Sequence, residues 1–538
     1  MATFSTFDLT IFFGYLCCMI GLGLWLSRSD GEQETTQDYF LASKALPWWA
    51  VGGSLIASNI SAEQFIGMAG SGYVVGLAIA SYELMAAATL LIVAKFFLPI
   101  FLKKGIYTMP QFLEERFDKR VRIGLAIFWV LLFVFVNITS VLYLGGLALK
   151  NIMGVNLMIG VVGLAFYAAT FSIFGGLKAV VWTDVVQVVV LIFGGMLASV
   201  LVLNALGGGF FAGLETLVTR APEKFDMILD RSNPEYMNLP GISVLIGGMW
   251  IANLYYWGNN QYIIQRALAA KSLQEAQRGT AFAAFLKVLL PVIVVIPGIA
   301  AFVLGADIAK PDEAYPWVLN NYVTTGFKGL AFAALIAAIG SSLSSMVNSA
   351  STIFTLDIYR TFFMPESADA DLVSSESESK GLSDESEAKL VRVGKISAAM
   401  SLVLGVIVAP LLGNLDQAFQ YIQEYTGFIS PGVVAIFLFG LFWKRTSANA
   451  AFWVVLLSIP LSAGMKFALP DFPFIDRMGV SFLILSLIMV IISMMDNQGG
   501  EDKKAISYEK DLFSTDSVFN IASVAVFGML AVIYAVFW

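Results

Sequence analysis

Apolar runs of about twenty residues, the length that crosses a bilayer as a helix, recur along the whole chain between short polar stretches. Fourteen such spans are predicted, at 6–27, 47–71, 77–101, 122–148, 156–176, 180–207, 242–262, 278–305, 329–358, 391–410, 414–442, 447–466, 479–496 and 519–538. Ten-residue alternating segments, the mark of a barrel, are not the pattern. Two spans carry polar residues in mid-run. The second, WWAVGGSLIASNISAEQFIGMAGSG, holds Asn59, Ser61, Glu63 and Gln64, and the seventh, GGMWIANLYYWGNNQYIIQR, holds Asn253, Gly258, Asn259, Asn260 and Gln261. Each opens a set of five spans, and an odd number makes the second set enter from the opposite face. The expected fold is therefore an all-α polytopic membrane protein of about fourteen helices, built as a five-plus-five inverted repeat around discontinuous second and seventh helices.

The organisation that follows is a single transmembrane domain over 1–538. It comprises an extra N-terminal helix (6–27), a first repeat (47–207), a second repeat (242–443), an acidic cytoplasmic loop (359–390) and three C-terminal helices (447–538).

Composition removes other classes. The chain is 58% hydrophobic and 13% charged, about half the charge of a soluble chain, which excludes a soluble enzyme, a nucleic-acid binder and a secreted scaffold. The only cysteines, Cys17 and Cys18, are adjacent within an apolar run, and histidine is absent, so neither a disulfide framework nor an imidazole site is available. The net charge of −7 is concentrated in Glu366, Asp369, Asp371, Glu376, Glu378, Asp384, Glu385 and Glu387 against Lys380, a composition expected of a solvated loop. The N-terminus lacks the positive stretch of a cleaved signal, so the first run reads as a retained span. With both termini outside, Lys and Arg divide as 22 inside, 8 outside and 2 within spans, the asymmetry that membrane insertion favours.

Ionisable and amide groups inside spans are functional candidates by default. Glu83, Lys287 and Asp184 join Gln64, Asn253 and Gln423, a mixture of donors and acceptors that suits a neutral polyhydroxylated solute. Taken singly, each is also compatible with a buried ion pair or interhelical contact. Asn253, Tyr256, Trp257 and Asn260 fall at i, i+3, i+4 and i+7, sharing a face unless the helix breaks at Gly258; Gln64 with Met68 and Phe419 with Gln423 are four apart. Ordinary aromatic packing is the alternative to a ring stacked on a sugar. The ninth span ends in a serine run that includes Ser341 and Ser342. Such runs often serve only close helix packing, yet these hydroxyls with the carbonyls of Ala57, Ile60 and Ala338 offer five oxygens to a sodium ion.

The motifs SNISAEQFIGMAGSGY, GGLKAVVWTDVVQ, ANLYYWGNNQYIIQR, GSSLSSMVNSASTIFTLDIY and AFQYIQEYTGFISPG resemble the sodium/solute symporter family, most closely its bacterial sugar-carrying members. The resemblance implies a leucine-transporter-like core of ten helices, with one helix before and three after. It implies sugar contacts at Gln64, Glu83, Asn253, Lys287 and Gln423, an inner-gate ring at Tyr256, and a hydrophobic surround of Met68, Tyr82, Trp257 and Phe419. It implies sodium at the carbonyls of Ala57, Ile60 and Ala338 and the hydroxyls of Ser341 and Ser342, with Asp184 on the ion's route. Asn259 departs from the pattern, where an aromatic is expected. The implied activity is sodium-coupled symport of galactose or glucose into the cell by alternating access, in a bacterial inner membrane. Its partners would be sugar, sodium and the lipid bilayer, with no nucleic acid, no covalent chemistry and no cofactor beyond the coupling ion. The rivals are symport of another polyol such as inositol, proton coupling, and a solute sensor that does not transport.

Overall fold

The computed structural model describes residues 5–26, 39–40, 42–364, 384–414, 418–497 and 500–538. Most of the acidic stretch therefore lies outside the described residues. Those described are helical apart from turns and connections, with one isolated bridge between Leu46 and Ala270. Among the described residues, ten helices are long and apolar enough to cross a membrane.

Burial sorts them into a centre and a rim. In the helix over Phe327–Phe363, 94% of the most apolar window is buried, against 17% in Thr6–Leu26 (α1) and in the last helix, Ser517–Val536. Phe13, Trp25, Ile521 and Val524 accordingly point outward, as residues facing lipid must.

The second span begins at α2 (Trp48–Asn59), stops, and resumes as a π-helical turn over Glu63–Met68 that leads into α3 (Ala69–Val74). The stop has a local cause. Ile60 is extended, and the Ser61 amide donates to Gln64 Oε1 at 2.9 Å instead of reaching back to the carbonyl of Ala57. The Glu63 amide in turn donates to Ser61 Oγ at 3.0 Å. Ser61-Ala-Glu-Gln64 thus works as a capping box for a new helix start in mid-membrane. The orphaned carbonyls at the end of α2 are left to face other groups.

After α4 (Ser81–Phe96), α5 (Lys119–Leu132) and α6 (Thr139–Met153) comes α7 (Leu157–Gly207), which is two helices meeting at Gly176. There φ is 53°, in the left-handed region that favours glycine. The seventh span runs through α8 (Gly248–Leu254) and a π-helical turn to α9 (Gln261–Leu268). Its break is at Asn260, where ψ is 122°, so the interruption weighed at Gly258 does not occur. The backbone stays helical through the glycine because the turn widens without stopping.

α10 (Leu273–Leu290) packs against both α2 and α4. Ser272 caps it by accepting from the Glu275 amide, and the Glu275 carboxylate accepts from the Trp48 amide at 2.6 Å, so one acid fixes the starts of α10 and α2 together. Next, α11 (Ile296–Val303) crosses α3 at Gly298, where an added Cβ would lie 2.0 Å from the carbonyl oxygen of Ala69. Gly298→Ala is expected to cost about 1–3 kcal/mol through overpacking, read as a lower thermal midpoint of the purified protein in detergent.

The central α12 (Phe327–Ile353) lies along α7 and continues helically to Phe363. α13 (Asp384–Val408) starts earlier than the 391 expected. The helices therefore extend into both ends of the stretch 359–390 expected as loop; Glu385 and Glu387 fall in the first turn of α13, where acids favour a helix start. The span at 414–442 is likewise two helices, α14 (Ala418–Thr426) and α15 (Ser430–Phe442). Pro431 sits in the first turn of α15, where its missing N–H costs nothing and a helix can begin but not arrive from the preceding segment. α16 (Ala448–Ala468), α17 (Phe474–Asp496) and α18 (Ser517–Val536) complete the chain.

Candidate functional site

The two interrupted spans meet α4, α10 and the α14–α15 segment around one cavity. Its walls include Gln64, Tyr82, Glu83, Asn253, Tyr256, Trp257, Lys287, Phe419 and Gln423, nine of the ten side chains singled out for a sugar. Met68 is the exception. It is fully buried on the turn after Gln64 but is not among the cavity-lining residues. The open volume is about 60 Å³, room for a handful of waters; a six-membered ring needs its walls to move.

Polar groups link across the cavity in a continuous chain. Tyr262 donates its hydroxyl hydrogen to Tyr256 Oη, which also accepts from Asn59 Nδ2 at 2.9 Å. Asn59 Oδ1 accepts from the Lys287 ammonium, which pairs with Glu83 and lies 5.0 Å from the centre of the Trp257 ring. Tyr82 and Phe419 meet edge to face, 5.2 Å between centres. Gln64 commits its carbonyl oxygen to Ser61, which orients the amide beside the cavity. Asn253 is steadied through Nδ2 donating to the carbonyl of Met249 at 3.1 Å.

Sequence reasoning left out several wall residues. Asn59 and Glu63 were noted as polar interruptions without a role, and Asn137 was not noted at all; all three line the cavity. Asn137 sits on a π-helical turn between α5 and α6, inside a strongly apolar run that hides one amide. Asn259 is fully buried, and neither side-chain heteroatom has a hydrogen-bond partner; nothing in the structure explains it.

Beside the break in the second span, Ser342 Oγ donates to the carbonyls of Ser58 at 2.9 Å and Ile60 at 3.1 Å. Ala57, Ile60, Ala338, Ser341 and Ser342 are all fully buried. Ser341 Oγ donates to Asp184 Oδ1, and Ser54 Oγ donates to Asp184 Oδ2. Arg266, which the sequence reading passed over, is fully buried 3.6 Å from Asp184. Its Nε donates to Ser54 Oγ at 3.0 Å and its other nitrogens to Ser345 Oγ and the Tyr262 carbonyl. Asp184 is therefore already paired and belongs to a polar cluster that touches the serine pair directly.

Interrupted helices enclosing a polar cavity at mid-span, with ten helices among the described residues long and apolar enough to cross a membrane, define a secondary transporter. More narrowly, the chain belongs to the sodium:solute symporter family, whose model matches residues 39–458, and it is a sodium-coupled transporter and not an enzyme. It is 52% identical, over 99% of its own length and 98% of the relative's, to a sodium/glucose cotransporter of Vibrio parahaemolyticus. It is 33% identical to a sodium/myo-inositol cotransporter 2 of Mus musculus, over 84% of this chain and 69% of that one. A sodium-coupled sialic acid symporter in a substrate-bound outward-open state superposes with a TM-score of 0.75 at 24% identity, covering 91% of this chain and 98% of that one. A nucleobase-cation symporter, Mhp1, superposes with a TM-score of 0.55 at 15% identity over 88% of this chain and 98% of that one. Both likenesses concern the fold.

Proposed function

We propose that the protein carries a neutral hexose, galactose or glucose, into the cell with sodium by alternating access. The observation that carries this reading is the cavity itself, where amides of Gln64, Asn253 and Gln423 and the Glu83–Lys287 pair stand around aromatic walls. A hydroxyl both donates and accepts, so a ring of hydroxyls is matched by mixed partners of this kind. Tyr256 supplies the stacking face and closes the route inward; Trp257, Tyr82 and Phe419 exclude water, with Met68 packed behind. Sodium binds at the carbonyls of Ala57, Ile60 and Ala338 and the hydroxyls of Ser341 and Ser342, and Asp184 lies on its path to the cytoplasm. The proposed frame is fourteen crossings, two inverted repeats at 47–207 and 242–443 and both termini outside a bacterial plasma membrane. The identity to a sodium/glucose cotransporter supports the hexose; likeness to myo-inositol cotransporters favours a cyclic polyol as the second reading.

The test is uptake of labelled galactose into proteoliposomes under an inward sodium gradient or an equal potassium gradient, with glucose, myo-inositol and proline as competitors. Accumulation with sodium alone, competed by sugars and not by proline, is the expected result; competition by myo-inositol alone would move the substrate to the second reading. In the same assay Ser342→Ala is expected to raise the sodium concentration for half-maximal uptake roughly tenfold, the equivalent of one lost ligand at about 1.4 kcal/mol. Gln423→Ala should weaken galactose binding by a similar factor of about ten while leaving sodium binding in the absence of sugar unchanged. Loss of sodium affinity in the second variant would overturn the division between the two sites.

A further inference from the structure

Five carboxylate, ammonium or guanidinium side chains are buried around the cavity and the serine cluster: Glu63, Glu83, Lys287, Asp184 and Arg266. Four of them form two pairs, Lys287 with Glu83 and Arg266 with Asp184. Glu63 is left over. It lines the cavity, its Oε1 is buried without a hydrogen-bond partner, and among the described residues no lysine or arginine forms an ion pair with it. Ionised, the group of five carries a net charge of −1, and an uncompensated carboxylate in such surroundings is costly.

The sodium site has the opposite deficit. Its proposed ligands are neutral carbonyls and hydroxyls, and the neighbouring Asp184 is already matched by Arg266 at 3.6 Å. The two deficits lie on the same interruption of the second span: Ile60 ends one side of it, and Glu63 opens the π-helical turn three residues later.

We propose that Glu63 is the counter-charge of the transported sodium, a positioning residue that acts on the ion through the field across the helix break without ligating it. With the ion bound the six charges sum to zero. The ion offsets the cost of the Glu63 carboxylate beside the cavity, where it stands as an acceptor for sugar hydroxyls, so occupancy of one site favours occupancy of the other, and the effect must be reciprocal. This deepens the sodium and sugar assignment above and rests on it.

The experiment measures binding of radioactive sodium to purified protein without sugar, and galactose affinity at saturating sodium, for the wild type, Glu63→Gln, Glu63→Asp and Ser342→Ala. Removing one charge from across the helix break is expected to weaken sodium binding on the order of tenfold in Glu63→Gln. Glu63→Asp, which keeps the charge, should restore most of that loss, and galactose affinity at saturating sodium should fall less than sodium affinity does. Should Glu63→Gln not yield folded protein, Glu63→Ala makes the same comparison. Unchanged sodium affinity in the neutral variants overturns the proposal. If Ser342→Ala still weakens sodium binding, only the counter-charge fails; if it too is without effect, the sodium site falls with it.

Discussion

Arg266→Ala is expected to lower stability by about 3–5 kcal/mol, the usual effect of removing one partner from a fully buried ion pair. Both Arg266 and Asp184 are completely enclosed, and the guanidinium also holds Ser54, Ser345 and the carbonyl of Tyr262. Truncation leaves the Asp184 carboxylate uncompensated and frees the serines beside the proposed ion site. The thermal midpoint in detergent should drop sharply and sodium-driven uptake should vanish. Arg266→Met combined with Asp184→Leu removes both charges, and an apolar replacement of a buried pair is often close to neutral, so most of the midpoint should return. Uptake should not return, because the route assigned to the ion has lost its carboxylate. An unchanged midpoint in Arg266→Ala would show that the pair is not the structural tie between α7 and α9.

Lys287→Met is expected to abolish sugar uptake while permitting folding at reduced stability. The ammonium serves Glu83 and Asn59 at once and stands over the Trp257 ring. Losing one member of such a buried charged contact typically costs about 2–5 kcal/mol, here a fall in galactose affinity of roughly thirty- to several-thousandfold. Equilibrium binding of galactose at saturating sodium checks it. Glu83→Gln on top of Lys287→Met should recover stability, since neither member of the pair is then left charged without the other, and should leave binding impaired. Galactose affinity near the wild-type value in Lys287→Met would remove Lys287 from the sugar site.

Much of this arrangement is legible in the residues. Uninterrupted spans announce themselves because every turn must be apolar, and the interruption of the second is written in Ser61-Ala-Glu-Gln64, a helix-start signal placed where no helix should start. Seeing that signal would also have given Gln64 its carbonyl partner. The division of the span at 414–442 was harder, because hydropathy is averaged over a window and Gly427 to Ile429 barely dent it; Pro431 was the available clue. Arg266 escaped for a different reason. Next to the polar run that precedes it, it reads as the end of a span entering water, and only the three-dimensional meeting with Asp184, 82 positions earlier, shows it to be inside. Pairings between distant spans leave no periodic trace, which is also why Asn137 went unnoticed and why Met68, at the right spacing from Gln64, still misses the cavity wall.

The count of buried charges also bears on how membrane voltage acts. On the proposal that Glu63 balances the ion, the two matched pairs and one unmatched carboxylate around the sites give this region a charge of −1 when empty and zero when sodium is bound. An inside-negative potential, at about 2.3 kcal/mol per elementary charge per 100 mV, would then do its work on the unloaded half of the cycle. It would drive the vacant protein to present its site outward again, while the step that carries ion and sugar across together would feel almost none of it.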